Sequence, residues 1–292
     1  MTNIQIRCIA DTRCTLGEGP VWDETRESLW WVGILENRIY QYNSNTQKIE
    51  WWETPEYVGF IVLKKEGGFV AGLKSGLHHV ELRKKHQVTV TRIDRVDEHK
   101  ECIRLNDGML DRFGRIWGCT MDMNQKEPFG KYYCYDREWN RTVKDEGYIV
   151  ANGPAVSPDG LTVYTVETVG GPGRKKGIFS LSMGKREALI DWSNYSSFPD
   201  GIICDATGNL WIGEFGGNKL RYFSSTGNLL HEIEMPAWNV TKPAFSGCDR
   251  KTLFVTTARH AAGEQILEQY PLTGGVFEIY GLKIQGQPTL YR

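Results

Sequence analysis

The stretch Arg104-Leu105-Asn106-Asp107-Gly108-Met109-Leu110-Asp111-Arg112-Phe113-Gly114-Arg115-Ile116-Trp117-Gly118 decides the fold, because its outline returns along the chain. An apolar run, an Asp-x-x-Gly turn and a second run carrying Ile-Trp or Leu-Trp make a β-hairpin unit. The outline recurs from Asn152-Gly153-Pro154 through Asp159-Gly160 to Val163-Tyr164, and from Asp200-Gly201 through Asp205 and Gly208 to Leu210-Trp211. Looser copies run from Gly19-Pro20-Val21-Trp22 to Trp30-Trp31, from Phe60-Ile61-Val62 to Phe69-Val70, and from Lys242-Pro243 to Leu253-Phe254. Six starts spaced roughly 40 to 48 residues apart match the four-stranded blade of a propeller and are too far apart for a leucine-rich or hexapeptide solenoid. The expectation is all-β: residues 1–292 form one six-bladed β-propeller domain with four-stranded antiparallel blades.

An alternating strand, Ile4 to Ile9, precedes the first full repeat and has no hairpin partner beside it. It is expected to close the ring by pairing with Gly275 to Tyr280, which removes an open sheet edge.

With 40% apolar and 12% aromatic residues, the chain can fill a core between blades. A net charge of −1 gives no electrostatic reason to expect nucleic acid or an anionic membrane as a partner. No apolar run approaches the roughly 18 residues of a membrane span, and no basic head leads an apolar leader, so a cytoplasmic location is expected. The seven cysteines, odd in number and without a C-x-x-C pair, read as reduced thiols in strands. Arg83-Lys84-Lys85 and Arg174-Lys175-Lys176 fall at hairpin tips and read as solvated turns.

First strands line the axis of a propeller, so the residues at their starts converge although they are distant in sequence. Those positions hold Glu18, then an apolar wall from Val58, Gly59 and Phe60, then Arg104 with Asn106 and Asp107, Asn152, Asp200, and Thr241 with Lys242. Two carboxylates with one or two amide oxygens suit a hard divalent cation, with water and substrate completing its shell. Asp or Asn before Gly is also a common turn, and singly each such pair reads that way. Their shared phase in the repeat favours a site. Asp111 to Gly114, Asp159-Gly160 and Asp205 to Gly208 lie at the other end of the hairpin and are expected to be turns.

Other chemistries find little support. No G-x-S-x-G or H-E-x-x-H is present, and the six histidines avoid the strand starts, with His260 the nearest candidate. The Gly-rich tract from Gly170 to Arg174 reads as a hairpin loop, since no helix pattern and no Walker lysine follow it. Two polar segments, 121–129 and 262–269, could lie over a pocket; the second has a helical pattern.

These pieces resemble the senescence marker protein, gluconolactonase and luciferin-regenerating family of six-bladed propellers. The matches are Leu16-Gly17-Glu18-Gly19-Pro20-Val21-Trp22, Arg104-Leu105-Asn106-Asp107-Gly108, Asn152-Gly153 with Ser157, and Pro199-Asp200-Gly201 with Gly208-Asn209-Leu210-Trp211. Asn239-Val240-Thr241-Lys242-Pro243 and Thr256-Thr257-Ala258-Arg259, ahead of Gly274-Gly275-Val276-Phe277, look most like bacterial sugar lactonases. The resemblance implies that Glu18, Asn152 and Asp200 hold one divalent cation, Ca²⁺, Mg²⁺, Mn²⁺ or Zn²⁺. It implies that Arg104 and Asn106 hold a sugar lactone, and that Asp200 takes the proton of the attacking water. Met123-Asn124 stands where some members carry acidic residues that touch substrate, and Glu167 on a second strand is left out of the site. The implied activity is metal-dependent hydrolysis of an aldonolactone. A calcium-binding or interaction propeller without turnover, and a phosphotriester- or luciferin-related hydrolase, are the alternatives.

Overall fold

Hairpin punctuation and alternating apolar runs build six four-stranded antiparallel sheets in the computed structural model, which describes residues 4–97, 100–171, 173–247 and 249–292. His99 and Cys248 lie outside the described residues. The innermost strands are Gly17–Asp23, Val58–Leu63, Ile103–Leu110, Ala151–Val156, Phe198–Cys204 and Asn239–Ser246. The chain is thus a six-bladed β-propeller, as the repeat predicts. Strand Gln5–Ala10 lies antiparallel to Val276–Tyr280, with Gln5 opposite Tyr280 and Ala10 opposite Val276, and forms the outer strand of the sixth blade.

The apolar core is divided among the blade interfaces. Trp30, Val32, Ile61 and Phe69 fill the gap between blades 1 and 2, whereas Trp211, Leu220, Val255 and Phe277 fill the gap between blades 5 and 6. Aromatic rings stack within blades, Trp31 on Tyr40 and Trp211 on Tyr222, which suits the wide flat surfaces that sheets present to one another. The Asp-x-x-Gly elements are turns, as expected. Gly114 donates to the Asp111 carbonyl, Gly208 to that of Asp205, and Gly160 to that of Ser157.

The reading of Arg174-Lys175-Lys176 as a solvated tip needs correction. Arg174 lies 3.6 Å over the Tyr148 ring and donates to the Glu146 carbonyl, while Lys176 Nζ donates to the carbonyls of Tyr195 and Ser197. Only Lys175 is exposed, paired with Asp191. The long aliphatic stems let both neighbours cover apolar surface while their heads find carbonyls. Of the six described cysteines, all unpaired, Cys14 and Cys102 lie outside strands, a second departure from the sequence reading.

The last residues do something the repeat does not announce. After Tyr280 the chain crosses the end of the channel opposite the strand starts and touches every blade. Gly286 donates to Arg250 O, Ala206 to Gln285 O, and Gln287 Nε2 to the carbonyls of Val156 and Cys204. Arg292 donates from its backbone to Leu63 O and from its guanidinium to Asp136 O, while the Tyr291 hydroxyl donates to Asp23. A cavity of about 200 Å³ is left between this strap and the inner strands. Deleting residues 285–292 is expected to cost on the order of 2 kcal/mol net of ordering the segment, read as a lower urea midpoint.

Candidate active site

Every inner strand breaks its ladder at the same level. The register with the second strand shifts between Glu18 and Val21, Val58 and Phe60, Leu105 and Asp107, Asn152 and Ala155, Pro199 and Ile202, and Val240 and Pro243. A bulge bends the strand and re-aims a side chain, so six bulges in a ring turn the polar residues toward the axis. The Asp-Gly and Asn-Gly pairs therefore sit within strands and do not precede them. Among Gly108, Gly153 and Gly201 only Gly153 has a left-handed φ, +77°. Gly201 answers a different need: a Cβ there would stand 2.5 Å from Cβ of Lys242, whose stem crosses it.

Glu18, Arg104, Asn106, Asn152 and Asp200 line one cavity of about 430 Å³ at the strand-start end. All five are buried. Asp107, Thr241 and Lys242 are not among its walls, a correction to the inventory of strand starts. Lys242 Nζ instead bonds both Asp107 oxygens, at 2.6 and 2.7 Å, and Thr241 donates to Gly17 O. The bulges explain the sorting: one added residue sends its neighbour to the other face of the strand.

The amides are fixed by their donors. Asn106 Nδ2 donates to Ala151 O and to Asn152 Oδ1, both at 2.8 Å. Asn152 Nδ2 donates to Thr168 Oγ1, which in turn donates to Pro199 O. With both amide nitrogens committed, both Oδ1 atoms keep acceptor capacity. Glu18 accepts one bond, from Gly19 N, and Asp200 accepts none from the described residues. Arg104 spends one N–H on Leu105 O and forms no ion pair among the described residues.

Burial dominates the electrostatics. It pushes Glu18 up to about 8, with Asp107 adding to the rise and Lys242 opposing it. Asp200 is pushed well above the usual carboxylate range by burial, then by Glu18 and Asp107. Burial pulls Arg104 down to about 10, which still leaves it a cation at neutral pH. Two buried carboxyl groups, both pushed upward and taking only one bond from the described chain, Gly19 N to Glu18, fit a divalent cation, which would supply the missing charge. Among the described residues no three His, Cys, Asp or Glu side chains cluster as a metal site, so a cation here would also draw on amide oxygen.

This environment predicts a pH dependence for metal-stripped protein. Glu18 has an ordinary value of 4.5 and a folded value of about 8, so between them the folded chain holds a proton that the unfolded chain has released. Stability is expected to fall as pH rises through that window, and Asp200 acts in the same direction. Urea midpoints at pH 5.5 and 8.5 check this: the slope should shrink in Glu18→Gln and in wild type given a divalent cation.

Residues 16–259 match the family described as SMP-30/Gluconolactonase/LRE-like region. The chain belongs to this family. It is 30% identical over 280 residues to 6-deoxy-6-sulfogluconolactonase of Pseudomonas putida, covering 94% of both chains. It is 28% identical over 294 residues to regucalcin of Danio rerio, covering 99% of this chain and 98% of the other. The crystal structure of a calcium-binding protein, regucalcin, from Agrobacterium tumefaciens superimposes with a TM-score of 0.90 at 25% identity, covering 99% and 98% of the two chains.

In this SMP-30/gluconolactonase propeller the cavity wall comes from residues at or just before inner-strand starts and at or just past second-strand ends. Leu16, Ile34, Tyr57, Met121, Met123, Val169, Phe198 and Phe215 surround the polar floor. Val58 and Phe60, expected to form an apolar wall here, are instead buried in the cores on either side of blade 2. Segment 121–129 does reach the cavity, through Met121, Met123 and Gln125. Segment 262–269 does not line it, and its helix, Glu264–Gln269, buries no residue. His260 stands exposed at the rim. Glu167 accepts bonds from the backbone of Ile149, Val150, Val169 and Gly170, which makes it a loop clamp. Thr168, next to it, is the residue the sequence reading missed; its place two positions past the second-strand residue opposite Asn152 was the available signal.

Proposed function

We propose that this chain hydrolyses a sugar lactone to the aldonic acid, using one divalent cation held by Glu18, Asn152 and Asp200. The observation that carries the reading is the buried Asp200 carboxylate, which faces the cavity without a donor from the described chain. Family membership supports the reaction class, and the names of a sulfogluconolactonase and of a calcium-binding regucalcin among its relatives support lactone and cation. When bound, the cation would supply Lewis-acid polarisation of the lactone carbonyl and charge stabilisation as that carbon becomes tetrahedral.

The remaining steps fall to side chains. Asp200 orients a water and takes its proton as the oxygen adds to the carbonyl carbon. Burial favours the neutral acid at Asp200; a neighbouring divalent charge would favour the carboxylate that the step needs. Arg104 donates to lactone oxygens, Asn106 Oδ1 accepts from a lactone hydroxyl, and Thr168 keeps the Asn152 amide from turning over. The carbonyl–ring oxygen bond breaks, the ring oxygen gains a proton, and the aldonic acid is released. Hydrolysis in ¹⁸O-water tests the route: label in the carboxylate supports attack at the carbonyl, and label in the ring-derived hydroxyl contradicts it.

A further inference from the structure

Most polar groups of the cavity with unspent hydrogen-bonding capacity sit on its floor; beyond them stand the Tyr57 hydroxyl, without a partner among the described residues, and Gln125 and His260. Glu18, Arg104, Asn106, Asn152 and Asp200 come from inner strands, and Thr168 is already committed to Asn152 and Pro199. Toward the mouth the character changes. Leu16 and Phe198 each precede a floor carboxylate by two residues, one step nearer the strand start on the same face. Phe215 ends the second strand of blade 5 and Met123 follows that of blade 3, both strands returning to the same end. These four are only partly buried, Phe198 being 37% exposed, so apolar surface faces an open cavity. Gln125 and His260 are exposed at the rim, where water can serve a hydroxyl equally well.

On this floor, any lactone hydroxyl directed at Leu16, Met123, Phe198 or Phe215 would meet side chains that offer it no hydrogen bond. A hydrocarbon group would gain there what a hydroxyl loses. We propose that the natural substrate is a deoxy-aldonolactone, a lactone whose exocyclic end is a methyl or other hydrocarbon group, and that Leu16, Met123, Phe198 and Phe215 select it. This inference rests on the lactonase reading and adds the substrate class. A partly exposed apolar set around a small polar cluster is the usual composition of a site that recognises a molecule with one polar and one apolar end.

The test compares matched lactones that differ by one hydroxyl: L-rhamnono- against L-mannono-1,4-lactone, and L-fucono- against L-galactono-1,4-lactone. The expected kcat/KM ratio favours the deoxy member by about 10-fold or more, the discrimination an apolar pocket gives for one such group. In Met123→Asn the ratio should fall at least threefold. A ratio below 10 in every pair that turns over overturns the substrate class while leaving the lactonase intact. An unchanged ratio in Met123→Asn overturns the assignment of the wall. No acceleration over buffer for any member, from folded, metal-loaded protein, overturns the lactonase reading and this inference with it.

Discussion

Asp200→Asn is expected to lower kcat for lactone hydrolysis by about 10³-fold while leaving the propeller folded. The amide matches the carboxyl in shape, so the bulge at Pro199 to Ile202 and the packing of Gly201 under the Lys242 stem are kept. It cannot accept a proton from water, and it removes one of the two carboxyl groups in the cavity. The same change should raise the urea midpoint of metal-stripped protein, because a buried carboxylate beside Glu18 is then absent. Activity down and metal-free stability up is the signature of a group placed for chemistry at the expense of folding. A fall in both would mark Asp200 as a structural residue.

Lys242→Met is expected to destabilise the protein by about 3–5 kcal/mol, the cost of leaving a buried carboxylate without its partner. Both oxygens of Asp107 take bonds from Lys242 Nζ, and the two side chains are almost wholly out of solvent. Methionine keeps the stem that crosses Gly201 and removes only the charge. The double variant Asp107→Leu/Lys242→Met should recover most of the loss, since replacing both members of a buried pair by apolar groups is often neutral. Urea denaturation of the three proteins checks this. A single variant as stable as wild type would mean that Asp107 is protonated, or reached by water, in the folded chain.

The ring was legible because three blades repeat one punctuation, Asp-Gly or Asn-Gly on the inner strand and an aromatic residue on the second, and the other three keep its spacing. Five of the eight polar residues named from the strand starts, Glu18, Arg104, Asn106, Asn152 and Asp200, line a single cavity, for the reason the repeat gives: equal phase means equal height on the axis. Strand alternation did not reveal which neighbours turn away. The bulges shift the pattern by one residue, so Asp107 and Lys242 read as site residues and instead pair with each other beneath it. The strap from Gln285 to Arg292 escaped notice because it has no periodicity, and several of its bonds use backbone groups that every residue carries. The apolar wall was misplaced for a simpler reason: Leu16, Tyr57 and Phe198 lie just before the positions that the repeat marks, and the rest comes from the ends of second strands and their loops.

Acid release from a panel of aldono-1,4- and 1,5-lactones, followed as metal-stripped protein is titrated with Mg²⁺, Mn²⁺, Ca²⁺ or Zn²⁺, tests the central claim most directly. The account predicts negligible turnover without metal, full turnover at one cation per chain, and turnover lower by about 10³-fold with any metal in Asp200→Asn. Stoichiometric cation binding with no acceleration of any lactone, from protein shown to be folded, would contradict it and leave a cation-binding propeller without turnover.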